Sequence, residues 1–229
     1  MSESQGRHEL KHYINYADVL QLRSRLPFVA GPDKNAKAGN GYRVKSLYFD
    51  NYNDKALKEK IDGVNEREKF RLRLYNDDIS FIRLEKKSKK NSLCFKHSAI
   101  ITADECSALL DGDLTVLKQN ENPLCQELYA KMHYQQLRAK NIVDYQREAF
   151  IYPLGNVRIT LDYDIRTSNN VHNFLKPEPI PLPISGVYIL EVKYDSYLPE
   201  IIRGMVSLSS RRSAAFSKYT ATRMITMGG

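Results

Sequence analysis

Hydrophobic and polar residues alternate with a period of two along much of the chain, and that period predicts β-strands. In residues 7–15, His8, Leu10, His12 and Ile14 fall on one side, with Arg7, Glu9, Lys11 and Tyr13 on the other. Residues 67–75 (REKFRLRLY) alternate most cleanly, with Phe70, Leu72 and Leu74 against Arg67, Lys69, Arg71 and Arg73. The same reading gives strands over 44–49, 80–87, 91–99 (carrying Lys96), 144–152, 156–163 and 187–194.

Helical spacing occupies the intervals. Val19, Leu20, Leu22 and Leu26 predict a helix over 17–26 that stops at Pro27. Asn51 and Asn53 read as turn and N-cap of a short helix over 54–60. Thr102, with Glu105 three residues on, predicts a capping box opening a helix to Leu110. Asn122-Pro123 starts a longer helix through Leu124, Leu128, Met132 and Leu137, extended to Lys140. Pro199 opens another, to about Ser209. Residues 31–41 (Gly, Lys and Asn) and 176–183 (Pro) read as loops. Residues 1–6 are polar and expected to be disordered, and no repeat or linker divides the rest, so 7–229 is expected to be a single α+β domain.

The strands share a peculiarity. One face is hydrophobic and the other carries ionic residues: Glu9/Lys11, Arg71/Arg73, Glu85/Lys87, Arg158/Asp162 and Glu191/Lys193. A single such pair is what any antiparallel sheet with one wet face shows. Recurrence over five strands is different. Like charges roughly 7 Å apart repel by about 2–3 kcal/mol at an effective dielectric of about 20. Arg67, Lys69, Arg71 and Arg73 in a row therefore call for a compensating anion. If the sheet closes into a barrel, this face lines a basic channel suited to a thin, densely charged chain.

Composition narrows the partners. Lys plus Arg number 35 against 27 Asp plus Glu, a net charge of +8, which favours anionic ligands. Hydrophobic residues make up 42%, enough for a packed core. Cys94, Cys106 and Cys125 show no metal-ligand spacing. No secretory signal and no apolar run of roughly 20 residues is seen, so a cytoplasmic protein without a transmembrane segment is expected. The 15 Tyr and eight Phe would allow base stacking, but no nucleic-acid-binding signature accompanies them and no nucleic-acid partner is expected. Neither Lys45-Ser46 nor Lys87-Ser88 follows the glycines of a P-loop, and His8, His12, His97, His133 and His172 form no triad pattern. The interspersed carboxylates Glu9, Glu85, Asp162 and Glu191 offer hard oxygen ligands for Mg²⁺ or Mn²⁺, the alternative for each being a salt bridge. Glu191 is favoured as a metal ligand because its strand is otherwise apolar.

The ordered series RHELKHYI, SLYFDN, KFRLRLY, RLEKK, Lys96, YQREAF, VRITLD, ILEVKY and FSKY, from Arg7 to about Tyr219, resembles the polyphosphate polymerase domain of the vacuolar transporter chaperone (VTC) family, one of the triphosphate tunnel metalloenzymes. The resemblance implies an eight-stranded antiparallel β-barrel, a tunnel, with flanking helices. It implies phosphate-binding roles for Lys11, Arg71, Arg73, Lys87, Lys96, Arg147, Arg158, Ser217 and Lys218, and Lys193 is grouped with them as the partner of Glu191. Arg71, Arg73, Lys87 and Lys218 are the expected catalytic positions, and Glu191 matches the family's metal-binding glutamate. The implied reaction is metal-dependent transfer of the ATP γ-phosphoryl group to a growing polyphosphate chain, so ATP and polyphosphate are the expected partners. One departure matters: tunnel hydrolases often begin Glu-x-Glu-x-Lys, and here Arg7 stands first, leaving Glu9 and Lys11. Hydrolysis of tripolyphosphate or a nucleoside triphosphate, and non-catalytic polyphosphate binding, are the alternatives.

Overall fold

The structure, a computed structural model, describes residues 7–33, 41–90, 93–208 and 217–227. The expected disordered segment 1–6 and most of the expected loop 31–41 lie outside the described residues. The elements follow in the order β1 (His8–Ile14), α1 (Tyr16–Arg25), β2 (Gly31–Pro32), β3 (Tyr42–Asp50), α2 (Lys55–Ile61), β4 (Arg67–Tyr75), β5 (Ile82–Lys90), β6 (Leu93–Ile101), α3 (Ala103–Leu110), α4 (Thr115–Gln119), α5 (Pro123–Tyr134), β7 (Arg138–Tyr152), β8 (Val157–Ser168), β9 (Leu182–Ile184), β10 (Tyr188–Tyr194), α6 (Glu200–Val206) and α7 (Lys218–Met227).

Eight strands pair in the antiparallel order β1-β10-β8-β7-β3-β4-β5-β6, with β2 added to β7 and β9 to β8. The sheet curls until its two edge strands meet at the bridge Arg7↔Cys94, a seam of one pair rather than a full ladder. The result is the expected eight-stranded antiparallel barrel, incompletely closed.

Side-chain parity decides which face curls inward. The outward residues feed two separate hydrophobic clusters. Leu47, Phe49, Phe70, Leu72, Leu74, Ile82 and Leu84 pack under α3, α4 and α5. Leu190, Val192, Val157, Ile159 and Leu161 pack under α1 and α6. With both outer faces sealed by helices, the ionic residues have only the interior to occupy. Gly41 (φ 75°) makes one close approach possible: a Cβ there would lie 2.5 Å from the Arg147 carbonyl oxygen, across the start of the β3–β7 ladder.

Four local differences from the sequence reading have physical causes. The helix at Asn122 does have its Asn cap and Pro at the first turn, but it ends at Tyr134, not Lys140. Gln136 takes φ 54° and breaks it, and β7 starts at Arg138, six residues before the expected strand. Residues 138–140 look helical in sequence but lie in the strand that pairs with β3. Strand β8 runs past Tyr163 to Ser168, because Asp164 (φ 48°) and Ile165 form a bulge opposite Tyr145 that restores the inward parity. Asn53 is not the cap of α2: Asp54 holds that position (φ 52°) without a side-chain bond, and Asp50 accepts instead from Ala56 N–H at 2.9 Å and Leu57 N–H at 3.1 Å, Asn51 from Lys55 N–H at 3.0 Å. Within the proline loop, β9 pairs with the edge of β8, where Pro183 can sit without a backbone donor. The capping box of Thr102 and Glu105 forms as expected.

Cys94, Cys106 and Cys125 are free. Among the described residues no helix is long and apolar enough to cross a membrane. Leu72 is fully buried in the cluster beneath α3–α5. Replacing it with Ala is expected to lower unfolding stability by about 2–5 kcal/mol, measured by denaturant titration. An unchanged midpoint would show that this cluster does not hold the sheet.

Candidate functional site: a cationic tunnel

The inward positions of adjacent strands come into register as ion pairs. Arg71 stands across from Glu85, and Lys11 across from Glu191. Arg147 stands across from Asp162. Three carboxylate clusters organise the wall.

In the first, Glu85 is buried and receives Arg71 through Nε and Nη2, both at 2.7 Å, and Lys96 Nζ at 2.5 Å, with Arg73 Nη1 at 3.8 Å. Burial raises its pKa, but Arg71, Arg73 and Lys96 hold it well below the usual carboxylate range. Arg73 also donates to Ser46 Oγ at 3.0 Å and Tyr145 Oη at 3.3 Å. In the second, Asp162 accepts a two-pronged contact from Arg147 (2.6 and 2.7 Å) and pairs with Lys218 Nζ at 2.5 Å. In the third, Lys11 bridges Glu9 (2.7 Å) and Glu191 (3.5 Å), while Lys193 holds Glu191 at 2.7 Å. Lys87 reaches Glu9 at 2.9 Å from β5, tying β1 to the far side of the seam.

These groups surround a cavity of about 560 Å³ lined by Lys11, Lys69, Arg71, Arg73, Lys87, Arg147, Lys193 and Lys218, with Glu9 and Glu191 facing in. Ser217 lines it too, at the start of α7. Lys96 stands behind the lining, on Glu85. Arg158 is placed apart: it donates to Asp33 Oδ2 and Tyr42 Oη, both at 2.6 Å. Arg7 turns to Asp195 at 2.9 Å.

Lys69 and Tyr48 also line the cavity; the sequence places Lys69 in the inward cationic row without giving it a phosphate-binding role. Lys69 donates to Ser217 Oγ at 3.3 Å and lies 6.0 Å above the Tyr48 ring. It shares the parity of Arg71 and Arg73, so the signal was present in REKFRLRLY. Tyr48 accepts from Arg71 Nη1 at 3.1 Å and leans on Tyr219, 5.1 Å between rings. Nothing in SLYFDN marks it as ionic, because its role depends on the Arg71 across the ladder.

Crowding shifts these groups. Burial brings the Lys69 ammonium down, Lys87, Lys11 and Arg71 push the same way, and together they outweigh Tyr48 to set it at about 7. Burial, with Lys87, lowers Lys193 to about 8 even beside Glu191. Burial raises the Tyr48 phenol, but Arg71, Arg73 and Lys69 outweigh it and bring it to about 7. Burial and Glu191 raise Glu9, yet Lys87, Lys11 and Lys193 hold it at about 2. The wall is therefore short of negative charge.

Among the described residues no three His, Cys, Asp or Glu side chains form a ready cation cage. Glu9 and Glu191 do share Lys11, and two carboxylates completed by phosphate oxygens match the donor set Mg²⁺ uses. Glu85 and Asp162 are occupied by guanidinium groups.

A family model described as the VTC domain matches residues 6–226. Comparison with curated proteins gives no match. Among solved structures, the candidate adenylyl cyclase HpAC1 from Hippeastrum, described as having a dominant triphosphatase activity, superposes with a TM-score of 0.59 at 13% identity over 95% of each chain. A candidate adenylate cyclase from Bacillus halodurans superposes with a TM-score of 0.57 at 13% identity, over 92% of this chain and 95% of that one. At such identity the likeness is one of fold, and the fold is the tunnel type.

An anion entering the cavity stabilises the ammonium forms of Lys69 and Lys193 and disfavours the Tyr48 phenolate, so all three pKa values rise and protons are taken up. Affinity is accordingly expected to fall as pH climbs from 7 to 9. Calorimetry of tripolyphosphate binding at pH 8, in two buffers of different ionisation enthalpy, measures this. Tripolyphosphate still gives up a proton of its own in this range, so the uptake is read as the difference from the variant Lys69→Met/Tyr48→Phe. Equal proton exchange in the two proteins would contradict the assignment.

Proposed function

The chain belongs to the VTC domain family, and on that premise we propose that it transfers the γ-phosphoryl group of ATP to the end of a polyphosphate chain within the tunnel, with the help of a divalent ion. The observation that carries this reading is the cavity whose wall sets cations from β1, β4, β5, β7, β10 and α7 around Glu9 and Glu191. Its wall offers charge neutralisation and alignment, which are what phosphoryl transfer between phosphates chiefly requires.

In this reading a terminal oxygen of the acceptor chain attacks the γ-phosphorus as the bond to the β,γ-bridging oxygen breaks, and ADP leaves with that electron pair. The nucleophile is a phosphate oxygen already ionised near neutral pH, so no side-chain base is needed. Arg71 and Arg73 clamp the transferring group, oriented by Glu85, Ser46 and Tyr145. Lys87, Lys11 and Lys193 neutralise phosphates along one side of the tunnel, and Arg147 and Lys218, anchored on Asp162, along the other. Ser217 and Lys69 add donors where α7 meets the wall. Mg²⁺ or Mn²⁺ held by Glu9 and Glu191 would supply positive charge to the β- and γ-phosphate oxygens. Glu85 and Asp162, proposed from sequence as further metal ligands, are better read as the anchors of the arginines.

A second reading is hydrolysis of a triphosphate, favoured by the described triphosphatase activity of the Hippeastrum protein on the same fold. Products separate the two. Purified protein with ATP and Mn²⁺ or Mg²⁺ is expected to yield a ladder of phosphate chains on a gel. Arg71→Ala and Glu191→Ala are expected to lower the rate by about a hundredfold or more. Free phosphate without chains would replace the polymerase with a hydrolase, and binding of polyphosphate without turnover would leave a binding module.

A further inference from the structure

Three cations at the mouth of the tunnel stand outside the three carboxylate clusters. Lys60 on α2, Arg67 at the start of β4 and Lys89 near the end of β5 all line the cavity of about 560 Å³. Arg67 and Lys89 also line an adjoining cavity of about 370 Å³ on the outer side. All three side chains are half-buried, yet none forms an ion pair with a carboxylate among the described residues. Arg67 donates only to the Val64 carbonyl oxygen.

The register makes this arrangement costly. Arg67 lies directly across from Lys89, and one step inward Lys69 lies across from Lys87, which in turn faces Lys96. Like charges in directly opposed cross-strand positions destabilise a sheet. Burial, with Arg67, Lys11 and Lys89, pushes the Lys60 pKa below its ordinary value. Carboxylates are at hand: Glu66 and Glu68 flank Arg67 in sequence. Glu68, however, is taken by Lys86 and Lys131, and Glu66 approaches Lys90 at 3.9 Å. Among the described residues, cations on the outside such as Lys86 and Lys131 are paired, and this trio, continuous with the tunnel, has no carboxylate within ion-pair distance.

We infer that Lys60, Arg67 and Lys89 form an outer phosphate subsite that holds the stretch of a long polyphosphate chain lying beyond the tunnel mouth. The inference rests on the tunnel itself binding phosphates, and it adds that the site is built for a polymer longer than a triphosphate. A triphosphate fills the inner positions without reaching the rim; a longer chain engages both, and its affinity gains from the linkage.

The test compares wild-type protein with the variant Lys60→Gln/Arg67→Gln/Lys89→Gln, using inorganic tripolyphosphate and a sodium polyphosphate of a few tens of phosphates as probes in calorimetric titrations at two salt concentrations. The variant is expected to lose about tenfold in affinity for the long chain, the sum of three modest contacts at the solvent-facing rim, with a shallower salt dependence. Its affinity for tripolyphosphate is expected to stay within about twofold. Equal losses for the two probes would assign the rim to the triphosphate itself and overturn the inference, as would no loss for either. Wild-type protein that binds neither probe would overturn the tunnel reading along with it. Lys89→Gln alone, which relieves a facing pair of cations, is expected to melt no lower than wild type and to keep a selective loss for the long chain. A loss shared by both probes in that stable variant would sink the idea independently of folding.

Discussion

Cations at strand spacing repel one another, and this barrel gathers twelve of its 35 Lys and Arg around one cavity. What makes the interior tolerable is the burial of Glu85 and Asp162 among them. A buried carboxylate costs several kcal/mol to desolvate, and removing its partners would leave that cost uncompensated. Each is therefore surrounded: Glu85 by Arg71, Arg73 and Lys96, Asp162 by Arg147 and Lys218. The pairing also fixes the guanidinium planes. An arginine anchored through one edge presents the other to the cavity with little rotamer freedom left to lose, which is the preorganisation that binding a charged ligand rewards.

The remaining charge is less settled. Burial brings the Lys69 and Lys193 ammonium groups down to about 7 and about 8, and Arg71, Arg73 and Lys69 outweigh burial to bring the Tyr48 phenol to about 7. An interior in that state holds unsatisfied capacity for anions. Glu9 and Glu191, paired with lysines rather than arginines, come together because β1 pairs with β10. Helix α7 completes the wall from another direction. Tyr219 donates to Asp50 at 2.7 Å, Arg223 to Asp54 at 2.8 Å and Thr222 to Asn141 at 2.9 Å. Those contacts set Lys218 over Asp162. Asp50 thus serves two elements, capping α2 and seating α7, so the cap of one helix positions a residue of the site carried by another.

Much of this was legible from alternation. The face shared by Arg67, Lys69, Arg71 and Arg73 follows from period two, and so does the apolar face of Phe70, Leu72 and Leu74 that packs under the helices. The capping box at Thr102 and the Pro at the start of α5 marked helix starts through purely local bonding. The errors fall where local signals compete with distant pairing. Residues 138–140 read as helix in sequence because nothing near them reveals β3 as their partner. The bulge at Asp164 was invisible because it answers a register set by Tyr145 on another strand.

By itself, the sequence determined which side chains could line an interior, since parity along a strand is a property of the backbone and holds in any sheet. It also determined the sign of that interior and, through nine ordered segments, the family to which it is similar. Only the tertiary structure decided how the ions sort themselves. Glu85 went to Arg71 and Asp162 to Arg147, while Glu9 and Glu191 came to share Lys11 and Arg158 was drawn to Asp33 and Tyr42. Those choices depend on strand order and register, which bring residues 148 positions apart, Lys69 and Ser217, within hydrogen-bonding distance. Charge complementarity acts through space over a few ångströms, and no pattern along the chain encodes that distance.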